Sequence, residues 1–134
     1  MTPAQGWSRI VARWLPALGW MALIFVLSSI SGLRVSDDAA VDEPLRVAAH
    51  FFIYAVLGGL VLLGLTAWRQ PGPATATLAL VVALLYAATD ELHQAFVPGR
   101  AAQIEDVFVD AVGAAVGIFI AWLIIDRRAR RHAT

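Results

Sequence analysis

The chain has 134 residues, 60% of them hydrophobic, and a mean hydropathy of +0.72, which is too apolar for a small water-soluble domain. Ten Arg, with no Lys, balance ten Asp plus Glu, so the total charge gives no sign of a nucleic-acid partner. The absence of Cys excludes a disulfide, a thiolate nucleophile and thiolate metal ligands.

A hydrocarbon core ~30 Å thick needs roughly 20 apolar residues per helix. The first such run covers about 14–30 and closes on Ser28, Ser29 and Ser31. A cleavable leader is the alternative reading, but a stretch of ~17 apolar residues exceeds the usual leader core. After a polar connection over 31–44, the second run covers about 47–68, and Arg46, His50 and Tyr54 fall four apart on one face. The breaker Arg69-Gln70-Pro71-Gly72-Pro73 leads to a third run over about 75–97. This run aligns Tyr86, Asp90, His93 and Gln94, with Glu91 turned ~100° from Asp90. The turn Pro98-Gly99-Arg100 precedes the fourth run, about 104–125, where Asp106 and Asp110 continue into Gly113 and Gly117. That GxxxG spacing predicts close helix packing, and Ser28 and Ser29 at a helix end read first as backbone-capping residues. The fold class expected is all-α: one unit over 1–134, a polytopic membrane protein of four helices in an antiparallel bundle.

Arginine then orients the bundle, because short Arg-rich loops stay in the cytoplasm. Arg9 and Arg13 precede the first run, Arg69 separates the second and third, and Arg127, Arg128, Arg130 and Arg131 follow the fourth, with His132 beside them. Alternating helices put these seven on one side with both termini, the cytoplasmic side, accompanied by a single acid, Asp126. The outer side holds Arg34, Arg46 and Arg100 against nine acids, with Asp37, Asp38, Asp42 and Glu43 in its loop. Neutrality is thus a cancellation between two oppositely charged ends.

A charge inside a spanning helix costs roughly 2.5–3.5 kcal/mol on insertion scales, so each needs a partner or a purpose. The topology brings the serines of helix one, Arg46, His50 and Tyr54 of helix two, Asp90, Glu91 and Gln94 of helix three, and Asp106 and Asp110 of helix four to one depth. Arg100 lies over them. The expectation is an outward-facing polar pocket.

The segments Arg46-Val-Ala-Ala-His50, Asp90-Glu91-Leu-His93-Gln94-Ala-Phe96-Val-Pro98-Gly99-Arg100 and Asp106-Val-Phe-Val-Asp110-Ala-Val-Gly113 resemble the VanZ-like family of small bacterial membrane proteins. The likeness covers about residues 20–120. The family is named for a protein associated with teicoplanin resistance, so the resemblance implies a cell-envelope role and a link to glycopeptide resistance, but no reaction. This chain departs from the family pattern in having Arg46 where Lys is frequent and Asp110 where Asn is frequent.

Two functional expectations follow. In the first, the pocket binds the head group of a membrane lipid or lipid-linked cell-wall precursor in the bacterial plasma membrane. Arg46 and Arg100 then meet a phosphate or carboxylate, or are neutralised internally, while Asp90, Glu91, Asp106 and Asp110 face amine or hydroxyl groups. In the second, an intramembrane hydrolase or transferase uses His50 as general base, with Asp90 or an acid of helix four beside it. A metal variant using His50, His93, Asp90 and one acid of helix four is the weaker form of that reading. No metal, cofactor or nucleic-acid partner is expected.

Overall fold

A computed structural model describes residues 3–32, 36–100 and 102–131; Arg34 and His132 lie outside them. The described residues form four helices, α1 (Pro3–Ser28), α2 (Ala39–Leu65), α3 (Pro73–Gln94) and α4 (Ile104–Arg131), and no strand. All four are long and apolar enough to cross a membrane.

The helix ends do not coincide with the ends of the apolar runs, because a helix ends where capping ends rather than where hydropathy falls. Helix α2 starts eight residues earlier than its apolar run, at Ala39. Asp38 accepts a hydrogen bond from the Ala40 N–H (2.9 Å), and Asp42 lies in the first turn, where the helix dipole favours an anion. Asp42 and Glu43 are therefore helical rather than in the loop, and Pro44 lies inside the helix. Arg9 and Arg13 likewise lie within α1, and α4 carries the basic tail as far as Arg131, with Arg130 donating to Asp126 one turn back at 2.9 Å. Helix α3 stops three residues short of its apolar run, at Gln94.

Small residues let α2 and α4 approach closely. Gly113 lies against the backbone of Phe51, Gly117 against that of Ala55, and Gly58 against that of Ala114. Arg13 of α1 donates to both the carbonyl (3.0 Å) and the hydroxyl (2.8 Å) of Thr66, satisfying the C-terminal end of α2, while Trp14 stacks on Trp68 at 5.7 Å. Trp20 donates to the Ile53 carbonyl at 2.9 Å, and the Tyr86 hydroxyl to that of Met21 at 2.6 Å.

Burial departs from that of a water-soluble bundle in two respects. Phe52, Leu85 and Phe108 are exposed, whereas Asp90, Glu91, Gln94, Asp106 and Asp110 are buried. Lipid favours the apolar exterior, while the interior combines an apolar core that includes Leu57, Val61 and Leu62 with the charged groups at one end.

Candidate functional site

The buried charges gather where α1 and α3 end and α2 and α4 begin. On α2, the spacing of Arg46, His50 and Tyr54 turns all three inward. Arg46 forms an ion pair through Nη1 with Asp106 and donates from Nη2 to Gln103 Oε1 at 2.9 Å. One turn deeper, His50 Nδ1 lies 3.0 Å from Asp110 Oδ1, and its Nε2 keeps a longer 3.9 Å approach to Asp106. The four-residue spacing on α2 thus meets the same spacing on α4.

Helix α3 supplies the other half. Gln94 donates to Asp90 Oδ2 at 3.0 Å and accepts from Arg100 at 3.1 Å. Glu91 faces α4, its Oε2 accepting the Gln103 backbone N–H at 2.9 Å. Several buried atoms of this cluster have no hydrogen-bond partner among the described residues: Tyr54 Oη, Asp90 Oδ1, Glu91 Oε1 and Asp110 Oδ2. Such atoms are uncommon in native proteins and call for an explanation.

Arg100 does more than overhang the site. It also donates to the carbonyls of Leu27 and Ile30, each at 3.2 Å, so that its guanidinium closes the exposed C-terminal end of α1. Arg100→Ala is expected to lower stability by about 2 kcal/mol through loss of these charge-assisted bonds. Arg100→Lys should restore only part of it, because an ammonium cannot span both carbonyls as a fork does. Thermal denaturation of the detergent-solubilised protein measures both.

A cavity of about 130 Å³ opens among α1, α2 and α3. Arg46, His50, Tyr54, Asp90, Gln94 and Arg100 line it, with Ser28 and Asp42, and Ile24, Leu27 and Ile53 form an apolar wall. Glu91, Asp106 and Asp110 are not part of this lining; Asp110 bonds His50, Asp106 pairs with Arg46 and Glu91 accepts from Gln103. Drug-sized ligands usually occupy ≈300–1,000 Å³, so this volume suits one small polar group and not a whole lipid.

His93 does not join His50. It contacts Ser29 Oγ at 3.0 Å and stacks on Phe25 at 4.5 Å, because i, i+3 from Asp90 turns it toward α1. The metal variant built on His50, His93 and Asp90 is therefore corrected; the acids that meet His50 in a compact group are Glu91 and Asp110. Ser28 and Ser29 both donate to the Phe25 carbonyl, at 3.0 and 2.6 Å, as helix-end residues do. Two residues escaped sequence reading. Gln103 accepts from Arg46 through its side chain and donates its backbone N–H to Glu91, while its carbonyl accepts from Asp106 N at 3.0 Å. Asp42 became a cavity residue once α2 began before it. The only sequence signal for Gln103 is its position immediately before α4.

Residues 13–125 match the model of the VanZ/LLP1 family. The chain belongs to this family. The matched span of this VanZ/LLP1 protein includes every residue of the polar cluster, from Ser28 to Asp110. No curated protein and no solved structure matches the chain.

Proposed function

We propose that this VanZ/LLP1 protein is an integral protein of the bacterial plasma membrane that binds the head group of an envelope lipid or lipid-linked cell-wall precursor. The observation that carries the reading is the cavity itself: charges of both signs and an apolar wall line a space that takes one small polar group, such as the phosphate or amine of a head group. The topology proposed is an antiparallel bundle with both termini cytoplasmic and the cavity facing outward. It is supported by the register of contacts, in which Arg13 meets Thr66 and Trp20 meets Ile53, and by the Arg-rich ends remote from the cavity. A contribution to glycopeptide (teicoplanin) resistance rests on the family alone.

Native mass spectrometry of the detergent-extracted protein tests the binding reading. A lipid should be retained by the wild type and lost at least tenfold in Arg46→Gln and Asp90→Asn, whose side chains line the cavity. Retention unchanged in both variants, or no retained lipid in the wild type, overturns it. The pairing of His50 with Asp110 favours a second reading, a hydrolase or transferase with His50 as general base. Turnover of the retained lipid by the wild type and not by His50→Ala would establish that reading.

A further inference from the structure

Behind the cavity wall, one imidazole nitrogen of His50 and one carboxylate oxygen each of Glu91 and Asp110 lie within 4.8 Å of one another. They come from three helices, so only the tertiary fold assembles them. Glu91 is 5% exposed and Asp110 1% exposed. Each keeps one buried oxygen, Glu91 Oε1 and Asp110 Oδ2, without a hydrogen-bond partner among the described residues. Each carboxylate thus has one arm spent on the protein, Glu91 on the Gln103 N–H and Asp110 on His50, and one arm unspent.

Charge balance points the same way. Four buried acids, Asp90, Glu91, Asp106 and Asp110, outnumber the two arginines of the cluster, Arg46 and Arg100. A bound divalent cation offsets that excess of acids. Buried charges are tolerated when they are paired or coordinate a metal.

We propose that His50, Glu91 and Asp110 bind a single divalent first-row transition cation, with Zn²⁺ and Mn²⁺ the fitting types. One imidazole with two carboxylates and no thiolate suits these borderline and hard ions. Bonds of about 2.0–2.2 Å place tetrahedral ligand atoms about 3.4 Å apart, so a group already within 4.8 Å closes on an ion by small side-chain movements. Asp106, paired with Arg46, lies 3.9 Å from His50 Nε2 and places a further carboxylate on the other side of the imidazole. The site adjoins the head-group contacts and shares only His50 with them: Glu91 and Asp110 do not line the cavity, whereas His50, Arg46 and Asp90 do.

The test uses the intact detergent-solubilised protein, stripped with EDTA, desalted and reloaded with Zn²⁺, Mn²⁺ or, as a spectroscopic probe, Co²⁺. Expected are one equivalent of metal per chain after desalting, a Co²⁺ ligand-field absorption band, and affinity at least tenfold weaker in Glu91→Gln and Asp110→Asn. His93→Ala should bind as the wild type does. Less than a tenth of an equivalent in the wild type, no Co²⁺ band, or unchanged affinity in both carboxylate variants overturns the proposal, as does loss of the metal in His93→Ala. If a carboxylate variant fails to fold, the wild type decides by NMR: diamagnetic Zn²⁺ must move the His50 imidazole nitrogen signals to metal-bound positions and leave the other histidines unligated. Because Arg46→Gln and Asp90→Asn leave all three ligands intact, metal binding lost with lipid binding kept, or the reverse, separates this inference from the head-group reading.

Discussion

Gly117→Ala is expected to disrupt the packing of α2 on α4 more than any other single-methyl addition. A Cβ at Gly117 falls onto the carbonyl group of Ala55, with the Ala55 Cα only 2.8 Å away. Backbone cannot rotate aside as a side chain does, so the two helices must separate. Overpacking usually costs 1–3 kcal/mol, and a backbone collision on both sides of a close contact puts this change near or above 3 kcal/mol. Two other glycines provide internal controls. At Gly59 the nearest atom to an added Cβ is 3.4 Å away, and at Gly19 nothing lies within 4 Å. Gly59→Ala should be nearly neutral, and Gly19→Ala should stabilise by up to ~1 kcal/mol through helix propensity. Thermal and SDS denaturation of the three variants measure the order; equal stability for Gly117→Ala and Gly59→Ala would remove the close-packing argument.

The second large effect concerns Arg46 and Asp106. Removing one partner of a buried pair costs about 3–5 kcal/mol because the other charge is left uncompensated. The Arg46 side chain is 30% exposed and Asp106 5%, so water reaches one partner, and Arg46→Met is expected near 2–3 kcal/mol. The double variant Arg46→Met/Asp106→Leu should regain most of this, since no buried charge remains and an apolar pair fills the space. Additive losses in the double variant, measured by the same denaturation curves, would mean that each residue acts through Gln103 or His50 rather than through the other. Either result leaves the carboxylates of Glu91 and Asp110 untouched.

The apolar runs and the i, i+4 pairs were legible in the sequence because both follow from helical geometry alone. Twenty apolar residues measure a bilayer, and Arg46/His50 and Asp106/Asp110 share a face in any α-helix. Helix ends were less legible. Ala39 and Arg131 lie beyond the apolar runs, where capping by Asp38 and the Asp126–Arg130 pair hold polar residues helical. This shift turned Asp42 from a loop acid into a residue of the cavity.

Sequence by itself determined that the chain is a four-helix membrane protein of this family, and that acids, His50 and two arginines belong to one end of it. Only the tertiary structure decided the pairings. Whether His50 or His93 meets the acids depends on how α3 is rotated against α1 and α4, and rotation is set by packing: Gly113 and Gly117 fix α4 on α2, and Tyr86 ties α3 to the Met21 carbonyl. Periodicity gives each helix its polar stripe, but a stripe carries no information about which neighbour it faces. That is why Arg100 emerged as the residue that closes α1 as well as a wall of the cavity. It is also why Glu91, turned away from Asp90 on its own helix, came to lie beside His50 and Asp110.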